Sequence, residues 1–98
     1  MKLITKELRK KIPKTYSQPN ELNPMAYVKL FTPWADWTWF IMEMDDDGYC
    51  FGLVHGFEKE LGYFHLDELA EITGPAGLKI ERDKWFEPTK YKDIKVTT

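Results

Sequence analysis

The stretch that decides the fold is Tyr27-Val28-Lys29-Leu30-Phe31-Thr32-Pro33-Trp34-Ala35-Asp36-Trp37-Thr38-Trp39-Phe40-Ile41-Met42-Glu43-Met44, then Asp45-Asp46-Asp47-Gly48, then Tyr49-Cys50-Phe51-Gly52-Leu53-Val54-His55. Three of the four tryptophans lie within it, so it holds most of the bulk available for a core. Aromatic and β-branched runs separated by Pro, Asp and Gly read as strands and turns. The expected strands are 26–31, 37–44, 49–55 and, after a Gly56-Phe57-Glu58-Lys59-Glu60 connection, 61–65. Gly48 supplies the positive φ that a short hairpin loop needs.

Pattern sets an expected register. Pairing Asp45 with Tyr49 places Met44 opposite Cys50, Met42 opposite Gly52 and Phe40 opposite Val54. Pairing Phe31 with Trp37 then sets Val28 beside Phe40 and Leu30 beside Thr38, and pairing His55 with Leu61 lays Phe64 over Gly52. One face becomes almost wholly apolar: Ala26, Val28, Leu30, Phe40, Met42, Met44, Cys50, Val54 and Phe64. The opposite face mixes rings with charge: Tyr27, Lys29, Phe31, Trp37, Trp39, Ile41, Glu43, Phe51, Leu53, His55, Tyr63 and His65. A slip of one residue would put Glu43 with Cys50, which argues for this register. Lys29 becomes a cation–π neighbour of Trp39.

Outward from the strands, Thr5 caps a short helix through Ile12. Ile4, Leu8 and Ile12 give its apolar stripe, Glu7 and Lys10-Lys11 suit the helix dipole, and Pro13 stops it. The 14–25 stretch, with Pro19, Pro24 and two Asn, reads as a loop. A second helix starts at His65-Leu66-Asp67-Glu68, with Glu68 placed for a capping box, and Gly74-Pro75 breaks it. Residues 78–86 read as another extended or edge segment, and the tail from Thr89 as loosely held. The expected architecture is α+β: one domain over 1–98, a four-stranded antiparallel meander with two short helices packed on its wholly apolar face.

Composition narrows the function. A net charge of −2 argues against a general phosphate-backbone binder. The single cysteine excludes an internal disulfide, and no metal-spaced cysteine set exists. No signal-peptide h-region follows Met1-Lys2-Leu3-Ile4, and no apolar run approaches the roughly 20 residues of a membrane span. The expectation is a cytoplasmic protein with no cofactor, no metal, no catalytic residue assigned and no membrane partner.

Few residues carry recognisable chemistry. Asp45-Asp46-Asp47-Gly48 resembles the start of a calcium loop, but aromatic strands flank it where helices would be needed, so it reads as a charged hairpin tip. His55, His65 and Cys50 do not converge in the expected register, and a Cys50 pointing into an apolar core is inert. The remaining signal is the aromatic face. Rings among charges are the usual composition of a binding or self-association surface. The candidate binding residues are Lys29, Trp34, Trp37, Trp39, Glu43, Tyr63 and Arg82.

The blocks Tyr27-Val28-Lys29-Leu30-Phe31-Thr32-Pro33-Trp34, Trp37-Thr38-Trp39, Phe51-Gly52-Leu53-Val54, Glu60-Leu61-Gly62-Tyr63-Phe64 and Ile80-Glu81-Arg82-Asp83 resemble a family of short bacterial proteins filed as a domain of unknown function. That family is common on plasmids, prophages and other mobile elements. The resemblance runs from Thr5-Lys6-Glu7-Leu8-Arg9 to Phe86 and gives no residue a role. It implies accessory work, such as antagonising host defence or assisting transfer or maintenance. The expected function is binding of a host protein or small-molecule ligand through the aromatic sheet face, with a homodimer through that face as a further expectation. Two rivals stand beside it: a small enzyme using Glu43, His55 or the Glu81–Asp83 cluster, and a single-strand nucleic-acid binder that stacks bases on the rings.

Overall fold

The computed structural model describes residues 3–14 and 23–95. Most of the loop read at 14–25 and the last three residues of the tail lie outside the described residues. In chain order the elements are α1 (Lys6–Lys11), β1 (Met25–Ala26), β2 (Val28–Phe31), β3 (Thr38–Met44), β4 (Tyr49–His55), β5 (Lys59–His65), α2 (Leu66–Glu71), β6 (Glu81–Arg82) and β7 (Thr89–Lys90). Short 3-10 turns stand at Pro75–Gly77 and Tyr91–Asp93.

Local chemistry accounts for each boundary. Thr5 Oγ1 accepts from the Leu8 N–H at 3.2 Å and starts α1, with Glu7 in its first turn and Arg9, Lys10 and Lys11 in its last. The His65 ring starts α2, its Nδ1 accepting from the Asp67 N–H at 3.1 Å. The central hairpin is closed by one carboxylate. Asp45 Oδ1 accepts from the N–H groups of Asp47 and Tyr49 at 3.0 and 2.9 Å, and Gly48 takes φ +93°. That turn is the one expected from the sequence.

The fold is α+β: a five-stranded antiparallel sheet in the order β5-β4-β3-β2-β6, with two small helices. It has one strand more than the expected meander, because β6, from the segment read as extended, pairs with β2 at the sheet edge. A separate two-stranded ladder joins β1 to β7, with Ala26 opposite Thr89. The described part of the segment read as a loose tail is therefore tied back by backbone pairing.

The register departs from expectation at one point with wide consequences. Met44 lies opposite Cys50 and Glu43 opposite Phe51, as expected, but Ile41 then lies opposite Gly52, so the register shifts between Ile41 and Glu43. This β-bulge shifts the N-terminal half of β3 by one residue and turns its side chains over. Trp39 and Ile41 therefore join Val28, Leu30, Met44 and Cys50 under the helices, in the cluster that also holds Ile4, Ile12, Leu66, Leu69 and Ile80. Phe40 moves to the opposite face. The expected faces had Trp39 and Phe40 the other way round, because uninterrupted alternation was assumed. The bulge gathers Trp39, Ile41 and Met44 on one side without bringing Glu43 against Cys50.

Two further pairings are corrected. Leu30 lies opposite Trp39, one residue from the expected register. In the β4–β5 ladder Leu53 lies opposite Leu61 and Gly52 opposite Gly62, a shift of two that keeps each side chain on its face but moves Phe64 to Cys50.

The second face is not left open as a whole. Ala26, Phe40, Met42 and Leu53 form a second buried cluster, and Phe86, Tyr91 and Ile94 from the C-terminal segment pack against it. The helices cover one face and this segment covers part of the other. The sheet is the middle layer of the described residues.

Candidate functional site

Where β6 ends, one aspartate arranges three things at once. The Asp83 N–H donates to the Lys29 carbonyl at 2.9 Å, extending the β2–β6 ladder by a rung. Its Oδ2 lies 3.7 Å from Lys29 Nζ, and its Oδ1 accepts from the Trp85 N–H at 2.9 Å. The last bond closes an Asx turn, which fixes the chain direction two residues beyond the aspartate. Two adjacent aromatics then part company. Phe86 packs on Phe40 with ring centroids 5.7 Å apart, while Trp85 is 91 % exposed. The backbone beneath this bare indole is held on both sides.

Trp85 borders a groove of about 540 Å³ together with Lys29, Asp36, Trp37, Arg82 and Lys84. That volume lies within the range of small-ligand sites. Lys29, Arg82 and Lys84 are matched by Asp36, Glu81 and Asp83 along the lining, so the groove carries no net charge. The Lys29–Asp83 pair is half-exposed and contributes little stability. Lys29 Nζ stands 6.0 Å from the centre of the Phe40 ring, so its cation–π partner is Phe40 and not Trp39. Arg82 Nη1 donates to the Leu3 carbonyl at 2.6 Å, which ties the start of the described chain to β6.

Of the residues singled out from the sequence, this groove gathers Lys29, Trp37 and Arg82. The other four lie elsewhere. Trp39 is 6 % exposed within the helix-side core, and Glu43 is buried. Trp34 packs over Gly74, where an added Cβ would come within 2.4 Å of its ring. Tyr63 stacks on Tyr49 at 5.3 Å, on the strand at the far edge of the sheet. Trp85 was missed. Its signal is the Asp83-Lys84-Trp85 spacing, which is turn chemistry and not strand alternation.

Another concavity lies between α1 and α2, about 820 Å³, lined by Leu3, Ile4, Leu66, Leu69 and Ile80 with Lys6, Arg9 and Lys79 at its rim. Its lining is aliphatic and charged with no aromatic ring, whereas the groove at Trp85 presents a fixed, exposed indole. The groove at Trp85 has the better claim.

The acid and base residues of the enzyme reading are not brought together. Glu43 lies opposite Phe51 near the hairpin and His55 opposite Thr38 at the other end of the same ladder. Five residues of strand separate them, about 16 Å. His65, opposite Tyr49, lies at the far end of β4 from His55, and its ring caps α2. Among the described residues no group of His, Cys, Asp and Glu is placed to hold a metal ion. Cys50 is buried, its Sγ 3.4 Å from the Gly48 carbonyl oxygen, and burial pushes its thiol up to about 12. Such a thiol is a poor nucleophile. No helix among the described residues is long and apolar enough to cross a membrane.

The chain matches the family model described as "Protein of unknown function (DUF2958)" over residues 3–94, and it belongs to that family. No curated protein and no solved structure matches it.

Proposed function

We propose, with membership of this family as the premise, that the chain is a non-enzymatic, cytoplasmic accessory protein of the kind mobile elements carry. On this reading it binds a host protein or a small ligand through the groove at Trp85, and antagonism of a host defence is the role it serves. The mobile-element and anti-defence parts rest on the sequence resemblance alone. The binding part rests on the indole of Trp85, 91 % exposed on a turn that Asp83 fixes beside Trp37, Lys29 and Arg82. An exposed ring on a fixed backbone loses little conformational entropy on docking, and tryptophan concentrates interface energy.

The separation of Glu43 from His55 along the β3–β4 ladder supports binding over catalysis. The three carboxylates along the groove weigh against a nucleic-acid backbone, which three cations so matched would not attract. The test is Trp85→Ala, compared with wild type in melting temperature and in capture of binding partners from host lysate, with mass spectrometry of proteins and small molecules. We expect an unchanged melt, because the side chain touches little, and loss of the captured partner. A variant that keeps every partner of the wild type removes the groove from consideration.

A further inference from the structure

On the helix side of the same sheet end, Trp37 forms a second, smaller corner. Its ring lies near-parallel to the buried Trp39, centroids 6.0 Å apart and planes at 26°, which steadies it. It lies flat on Gly56, where an added Cβ would come within 2.3 Å of the indole. Phe57 stands edge-on to it, centroids 5.4 Å apart and planes at 80°, and is 93 % exposed. Val54, Glu58 and Glu60 complete a recess of about 210 Å³. In the ion pairs among the described residues neither Glu58 nor Glu60 takes part. Lys59, their neighbour in sequence, is on the opposite face of the strand from Glu60.

We propose that this corner binds an organic cation, a methylated ammonium carried either by a small molecule or by a side chain. Two rings meeting near a right angle offer a negative π-face each to one cation, and the buried Trp39 alongside the first keeps it in place. A methylated ammonium is weakly hydrated and leaves water for such a corner more readily than a metal ion or a bare ammonium does. The two carboxylates supply the counter-charge that the rings lack. An uncharged ligand of the same shape would gain only apolar contact with Val54 and the rings.

This site shares Trp37 with the groove but uses neither Trp85 nor Lys29, so it stands whether or not the groove binds a partner. The probe is choline, titrated at millimolar concentrations into nitrogen-15-labelled protein, with 3,3-dimethylbutanol as its neutral counterpart. We expect saturable shifts of the Trp37 indole N–H and of the Val54, Gly56 and Glu60 amides with choline alone. Phe57→Ala and Glu60→Gln, both at exposed positions, should keep the wild-type melt and each weaken choline by about three- to thirty-fold. A peptide with N-trimethyllysine binding tighter than choline identifies a side-chain source, and the reverse order a free amine; both uphold the site. Equal shifts with the neutral alcohol, no saturation, or undiminished affinity in both variants overturns it.

Discussion

Gly52 and Gly62 face each other across β4 and β5, yet alanine at the two positions should have opposite effects. A Cβ on Gly62 meets nothing within 4 Å, whereas a Cβ on Gly52 would sit 1.8 Å from the Phe40 carbonyl oxygen and 2.9 Å from its carbon. The carbonyl belongs to the backbone of the bulged strand, so no rotamer change removes it. Reaching even 3.0 Å requires β3 and β4 to part by 1.2 Å, the difference of the two distances, at the centre of the sheet. Overpacking of this kind costs about 1–3 kcal/mol. Two stretched ladder bonds add about 1 kcal/mol each, giving roughly 3–5 kcal/mol for Gly52→Ala. A chain of this length has about 5–15 kcal/mol in all, so the variant should be barely folded or melt at least about 12 °C lower. Gly62→Ala should lie between neutral and about 1 kcal/mol more stable, because alanine restricts the unfolded chain more than glycine does. Urea unfolding followed by circular dichroism decides the matter. A Gly52→Ala loss below about 1 kcal/mol, or equal losses at both positions, would show that the bulge does not bring Phe40 over Gly52.

Two further outcomes follow from the layering. Trp39→Ala and Phe40→Ala should each cost about 3–5 kcal/mol in the same urea assay, since each ring is buried on its own side of β3. A Trp39→Ala cost near that of a surface substitution would put the indole back in solvent. Cys50 should resist iodoacetamide at neutral pH until the chain unfolds. Its raised thiol also sets a sign: the unfolded chain releases the proton near 9 while the folded chain holds it to about 12. Stability is fully present below the lower value and falls by about 1.4 kcal/mol per pH unit between the two. Cys50→Ser should flatten that alkaline slope, and an unchanged slope would assign it to another group.

Turn and cap chemistry was legible residue by residue. Asp45 and Gly48 close the hairpin, Thr5 caps α1, and His65 opens α2, each through bonds made within a few residues. The four expected strands lie within two residues of β2, β3, β4 and β5, because aromatic runs bounded by Pro and Gly admit few alternatives, whereas the β1–β7 ladder was not foreseen. Which way the N-terminal half of β3 faced was not legible. A period-2 argument propagates one assumption along the whole strand, and a single bulge between Ile41 and Glu43 reverses everything before it.

That reversal also bears on where the candidate binding residues lie. Lys29, Trp37 and Arg82 converge because they border the same strand ends whichever face β3 presents. Trp39 went into the helix-side core with the reversed half of β3, whereas Glu43 keeps its expected place opposite Phe51 and is buried there. The exposed rings, Phe57 and Trp85, lie in connections, where no periodicity operates and hydrophobicity alone suggests burial. For such residues the informative signal is what the neighbours consume. Asp83 uses its carboxylate on Lys29 and on the Trp85 N–H, and Phe86 takes the one place over Phe40. The turn thus leaves the indole of Trp85 91 % exposed while its neighbour Phe86 packs inward, and it is on that exposure that the proposed binding rests.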